Sequence, residues 1–182
     1  MEKYKIVNLD NYYNNCGFTK KEEINRGNLT FNGTSFPLED DFENFPNYKE
    51  VPLKFSKYNG NDNIELEGQT IHLDGEYTVK KIYIVGLSVY GDYFDELYLY
   101  KGEKLVETTK LKLTCTSSDS PCFENKELLK YDSLNNIKKG VLNIPSKIWL
   151  DEIELPQPAV IDSIKFEDNP FMHVFSITLE IA

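Results

Sequence analysis

The chain is predicted to be all-β, an antiparallel β-sandwich of jelly-roll type with about eight to ten strands and one or two short helices. Three observations lead there. The 182 residues include 12 Tyr and 11 Phe, whereas Ala159 and Ala182 are the only alanines, a composition that favours strands over helices. The apolar segments are short, evenly spaced and without a βαβ rhythm. Residues Ile82 to Val89 form an almost unbroken apolar run rich in β-branched side chains, as in a strand buried on both faces.

In chain order, Tyr4 to Leu9 is the first strand and NYYNNCGF a turn. The segment TKKEEINRG suits one or two helical turns, with Thr19 as cap and Glu22 at the capping-box position. Asn32-Gly33 between two apolar stubs signals a tight hairpin. Leu38 to Lys49 is a surface connection whose Phe42, Phe45 and Tyr48 fold back on the core, and Val51 to Phe55 is an edge strand weakened at Pro52. Asp62 to Gly91 holds a short strand, a Gly-Gln turn, a second strand and the buried run, and organises the rest.

Alternation from Asp95 to Lys101 and from Lys110 to Cys115, reversing at Lys101-Gly102, predicts a hairpin with one face inward. Phe123 to Gly140 has loosely helical apolar spacing and is read as a helix stopped by Gly140. Lys147 to Leu155 is a strand ended by Pro156 and Pro158, and Val160 to Glu167 is the next. In Met172 to Ile181 the alternation puts His173, Phe175, Ile177, Leu179 and Ile181 on the core face, with His173 a satisfied core histidine. No linker-like stretch divides the chain, so residues 1–182 are read as one domain.

The formal charge of −10 is spread along the chain, which disfavours nucleic acid and anionic membranes as partners. No signal-like or membrane-length apolar stretch occurs, and a cytoplasmic location is expected. Of three cysteines, Cys115 and Cys122 bracket a turn and are candidates for a disulfide; three reduced thiols are the alternative.

The strings NNCGF, LTFNGTSFPLE, VPLKF, DNIELEGQTIHL, IYIVGLSVYG and VIDSIKFEDNPFMHVFSITL, in this order, resemble jelly-roll, galactose-binding-like β-sandwich domains associated with bacterial and archaeal carbohydrate-active proteins. The resemblance spans nearly the whole chain and implies a carbohydrate-associated, often non-catalytic role. It carries no catalytic residues onto these positions.

A saccharide site needs aromatic faces for C–H surfaces and carboxylates or amides for hydroxyls. Candidate ligand-binding residues are therefore Tyr90, Asp92, Tyr93 and Asp95 after the buried run, and Trp149 with Asp151; Tyr12-Tyr13 beside Asn14-Asn15 is a further cluster. Calcium, which takes oxygen ligands, has Asn59, Asn61, Asp62 and Asn63, or Asp40 and Asp41, as candidates. No cofactor is required by any motif. Only His72 and His173 are present and no C-x-x-C, which argues against zinc; G-x-S-x-G and phosphate-binding loops are also missing from the sequence. Carboxylate pairs such as Glu152 with Glu154, or Asp92 with Asp95, arise by chance among 30 acids. Three functions follow: a non-catalytic saccharide-binding module, a structural or protein-interaction sandwich, and a small glycan hydrolase.

Overall fold

The computed structural model describes residues 2–38 and 47–182. Twelve strands occur among them: β1 (Tyr4–Ile6), β2 (Phe18–Thr19), β3 (Thr34–Pro37), β4 (Ile64–Glu67), β5 (Thr70–Ser88), β6 (Tyr93–Lys101), β7 (Lys104–Leu113), β8 (Lys126–Tyr131), β9 (Leu134–Asn136), β10 (Gly140–Leu142), β11 (Ser146–Phe166) and β12 (Asp168–Ile181). Eight have four residues or more, within the expected count. They form two sheets. The larger has the order β1-β12-β5-β11-β6-β7, with β4 beside β12 and β8 beside β11, and every pairing in it is antiparallel. The smaller has the order β10-β9-β3-β2, where the two-residue β2 runs parallel to β3.

Strand β5 explains the architecture. Its side chains alternate between two cores: Val79, Ile82 and Ile84 join Leu97, Leu111, Ile164 and Ile177 in one, whereas Tyr83, Val85 and Leu87 join Phe18, Phe36, Phe55 and Trp149 in the other. The first core is enclosed by the strands of the large sheet itself, and the second lies beneath the small sheet and the 51–55 segment. Burial on both faces is why this run contains no polar alternation.

The two halves of β11 do different things. Residues 146–154 pair with the second half of β5 and with β8, while residues 159–166 pair with the first half of β5 and with β6. The register breaks between Glu154 and Ala159, so Pro156 and Pro158 bend one long strand rather than ending it. A proline lacks the ladder N–H, and a bulge is where that loss is tolerated.

Other expectations change for similar reasons. Phe123 to Gly140 forms β8, β9 and β10 in place of a helix, because β11 offers β8 an unpaired edge at Ser146–Leu150, and the weak helical preference of this segment yields to pairing. Thr19 is buried in β2 and caps nothing; the 3-10 segment Lys21–Arg26 follows Lys20 without a side-chain cap. At Asn32-Gly33 the turn forms, with Gly33 at φ +67° and its N–H donated to Thr30 O at 2.8 Å. Its hairpin does not, since β3 pairs with β2 and β9 instead. Val51 to Phe55 is extended but lies outside the ladders: Lys54 N–H donates to Ser176 Oγ and Thr178 Oγ1 to Pro52 O. In β12 a bulge at Phe175 shifts the parity, so Met172, Val174, Ile177 and Leu179 face the first core and Phe175 the second. The predicted β6–β7 hairpin is present, with Leu97, Leu99, Leu111 and Leu113 inward. Phe42 and Phe45 lie outside the described residues; Tyr48 packs against the second core. No helix among the described residues is long and apolar enough to cross a membrane.

Candidate functional site

The predicted ligand residues separate into two regions. Trp149 is fully buried in the second core, with its Nε1–H donated to Cys115 O at 3.2 Å, so it presents no face to a ligand. Asp92 accepts the Cys115 N–H at 2.7 Å, so the two side chains hold the peptide groups on either side of Cys115. Asp151 is also buried: it accepts Lys112 N–H at 2.9 Å and Asn125 Nδ2–H at 3.2 Å, and desolvation pushes its carboxyl up to about 6. It tethers β7 to β11 at the base of an open charged cleft of about 550 Å³ that also holds Glu152 and Glu154. Glu152 is paired with Lys81 at 2.8 Å and held below the usual carboxylate range by that lysine and by Tyr48, the opposite of what a general acid needs.

Tyr90 and Tyr93 have the other fate. Phe31 and Tyr90 are 77 % and 51 % exposed and stack with centroids 5.5 Å apart and planes 21° from parallel. Both meet Phe171 edge-on, at 5.9 and 6.0 Å, and Phe171 in turn stacks on Tyr93 at 5.3 Å. The result is a four-ring ladder from solvent to half-buried ground. Asp95 accepts from Asn169, whose Oδ1 accepts the Phe171 N–H, so that acid supports the ladder from behind. Tyr90 has φ +64°, left-handed backbone that a bulky side chain seldom adopts.

The proposed calcium group is turned inward. Asn59 is exposed on the turn closed between Tyr58 and Asn61, but Asp62 and Asn63 are buried. Both Asp62 oxygens are occupied by N–H donors: Gly17 N at 2.8 Å and Asn63 Nδ2 at 2.9 Å on Oδ1, and Phe18 N at 3.0 Å on Oδ2. With the Lys57 ammonium also 3.7 Å from Oδ2, this buried carboxylate is turned to the protein's own donors rather than to a surface cation. The approach is so close that a Cβ on Gly17 would lie 2.7 Å from Asn63 Nδ2, which is why that position lacks a side chain. Burial raises Asp62 to about 6 in spite of those donors. Asp40 and Asp41 lie outside the described residues. No cluster of three or more His, Cys, Asp or Glu among the described residues is arranged to hold a metal ion. All three cysteines are free thiols, Cys16 buried and Cys122 exposed.

From Asp62 and Asn63 a chain of amides leads to the surface. His173, fully buried and pushed down to about 3 by desolvation, shares a 2.9 Å hydrogen bond between Nδ1 and Asn63 Oδ1. Asn63 Nδ2–H donates to Asn15 Oδ1 at 3.1 Å, and Asn15 Nδ2–H donates to Glu65 Oε2 at 3.1 Å. Glu65 is half-buried, its backbone gripped on both sides by the Asn14 amide and its carbonyl also by Gln69. Desolvation and neighbouring Glu67 raise its carboxyl, opposed by the bond from Asn15. With Asn28, Thr30, Phe31, Tyr90 and Pro170 it lines a shallow surface depression.

Residue types alone pointed to Tyr90, Tyr93 and the Asn14-Asn15 pair, but not to Phe31, Glu65 or Phe171. Phe31 stands next to the Asn-Gly turn, and that adjacency is the available sequence signal for an exposed ring. No protein-family model matches the chain, and no curated protein matches it either.

Proposed function

We propose that the protein is a non-catalytic saccharide-binding β-sandwich, of the galactose-binding-like, jelly-roll kind that its sequence resembles, and that the Phe31–Tyr90 face is its binding platform. The observation that carries this reading is the stacked, solvent-exposed ring pair beside a half-buried carboxylate. Large aromatic faces left in water on a monomer mark contact sites. Here the rings offer a surface for sugar C–H groups, and Glu65 offers an acceptor for hydroxyls. The left-handed backbone at Tyr90 supports the assignment, since strain of about 1–3 kcal/mol persists where a side chain must be presented in a set direction. Free thiols fit a reducing compartment and support a cytoplasmic location.

A second reading, a protein-interaction sandwich, is favoured by Ile137, Val141 and Ile144. These are 44 %, 57 % and 43 % exposed, and Ile137 lies against Gly33 in the turn that carries Phe31. The two readings separate in a glycan-array screen followed by thermal-shift titration of each hit. Saturable stabilisation by a glycan, abolished in Phe31→Ala/Tyr90→Ala while the ligand-free melting temperature is kept, supports the saccharide module. Failure of every glycan to stabilise the protein sinks it and leaves the interaction reading.

A further inference from the structure

The polarity of the amide chain behind Glu65 is determined by atoms that have no choice. Asn63 Nδ2 meets the backbone carbonyl of Asn15 at 3.2 Å as well as its side-chain oxygen, and a carbonyl only accepts. Its Oδ1 therefore faces His173, so Nδ1 carries the imidazole proton. Likewise Asn15 Nδ2 meets the backbone carbonyl of Asn28 at 2.9 Å, which fixes that amide with its donor toward Glu65. Every link points the same way, from a buried donor to a surface carboxyl.

The inner end of the chain is costly. Contrary to the expectation of a satisfied core histidine, His173 Nε2 is buried with no hydrogen-bond partner among the described residues, and leaving such an atom unpaired costs about 1–3 kcal/mol. An apolar side chain would fill the space without that cost but would leave Asn63 Oδ1 unpaired and its amide free to turn over. The histidine donates one bond, and that bond orients the amide chain leading to Glu65.

At the outer end, Glu65 Oε2 takes the Asn15 donor and Oε1 accepts nothing from the described residues. The depression holds no Lys or Arg among its lining residues, and Glu67 adds a second negative charge nearby. An acceptor of fixed direction, acidic surroundings and an adjacent ring face select a ligand rich in hydroxyl donors and reject a carboxylate or sulfate.

Resting on the saccharide reading above, we propose that this site takes an uncharged saccharide whose hydroxyls donate to Glu65, and that Asn15, Asn63 and His173 are positioning residues that hold the Glu65 carboxyl for it. The site discriminates against uronic-acid and sulfated sugars.

The test is NMR titration of the aromatic and Glu65 carboxyl signals with neutral trisaccharides (cellotriose, maltotriose, mannotriose) against trigalacturonic acid. Neutral sugars shift the Phe31, Tyr90 and Glu65 signals with saturation, and the acidic trimer binds at least about tenfold more weakly, the margin set by one charge-assisted hydrogen bond. Glu65→Gln weakens neutral-sugar binding about tenfold or more and narrows the gap between neutral and acidic trimers. Asn15→Ala, which removes the donor without adding a charge, raises the Glu65 titration midpoint in ligand-free protein, a change that an asparagine not bonded to the carboxyl does not produce. If no sugar of either kind shifts the rings, the saccharide reading fails. If sugars bind but the acidic trimer is preferred, or Glu65→Gln leaves both affinities unchanged, this inference alone is overturned. Should Asn15→Ala not fold, Glu65→Gln on the half-exposed carboxyl still decides.

Discussion

Two sets of packed aromatic rings have opposite fates in this molecule. Phe18, Phe36, Phe55 and Phe175 pack at 5.2–6.4 Å beneath the small sheet, each with at most 2 % of its surface exposed. Phe31, Tyr90, Phe171 and Tyr93 pack at similar distances, yet the first two stand in water. Ring contact therefore does not distinguish core from site. The backbone decides: the buried set comes from strands and an extended segment facing a second sheet, and the exposed pair from a turn at Gly33 and a left-handed residue at the end of β5.

Breaking the buried set has the largest expected effect. Trp149→Ala removes the bulkiest fully buried side chain and one of the two donors to the Cys115 carbonyl, and is expected to cost about 3–5 kcal/mol in urea unfolding. Next comes Asp62→Ala, which takes away the buried carboxylate that accepts from the Gly17 and Phe18 N–H groups. Its expected cost is about 2–3 kcal/mol by the same measurement. Trp149→Ala does not touch the Phe31–Tyr90 face, so any sugar affinity remaining in its folded fraction is unchanged, whereas Asp62→Ala also removes an acceptor of the Asn63 amide and is expected to loosen the amide chain behind Glu65. A specific loss of affinity in Trp149→Ala at full folding would show that the core and the platform are one unit.

The sandwich was legible because strand signals are local: composition, alternation in β6 and β7, and the doubly buried run in β5 each fix an element without knowledge of its partner. What escaped the sequence depends on partners. The edge that recruits β8, the bulge that turns Phe175 away from Ile177, and the register break that absorbs Pro156 and Pro158 belong to pairings far apart in the chain. The site was half legible for the same reason. Tyr90, Tyr93 and Asn15 could be picked by type, whereas Glu65 and Phe31 become interesting only once residues 28–31, 65, 90 and 170 are neighbours. Trp149 and Asp62 were drawn toward function by their chemistry, and burial assigns both to structure.

The buried titratable groups sharpen the contrast through pH. Asp62 and Asp151 have folded values near 6 against an ordinary value of 3.8, so between about pH 4 and 6 each holds a proton in the folded state that the unfolded chain has released. Stability from these two rises as pH falls through that window. His173 acts oppositely, since its folded value near 3 lies below 6.5 and the unfolded chain takes up the proton first. The two buried carboxyls outweigh the one imidazole, so acidification between about pH 6 and 4 is expected to raise stability. Below about pH 4 the imidazole is opposed by nothing, and Glu152 and Glu180, held low by Lys81, Tyr83 and Lys80, also lose their contribution. Urea unfolding at several pH values is expected to peak near pH 4–5 and fall on both sides. A maximum at pH 7 or above would mean that Asp62 and Asp151 are not desolvated as described.

The smallest expected change in stability is the most informative about function. Phe31→Ala removes a ring that is 77 % exposed, and with it one stacked and one edge-on contact, for a cost within about 1 kcal/mol. In the buried set a similar truncation, Phe18→Ala, costs several times more, about 3–5 kcal/mol, because a cavity replaces the ring. The proposed saccharide platform would account for a side chain that contributes so little to folding yet stands stacked in solvent. Phe31→Ala is therefore expected to keep the melting temperature within a few degrees and to reduce neutral-saccharide affinity about tenfold or more, the loss of one aromatic contact face. If Phe31→Ala instead unfolds the domain, the ring is part of the structural set, and the division between core and platform drawn from exposure is wrong.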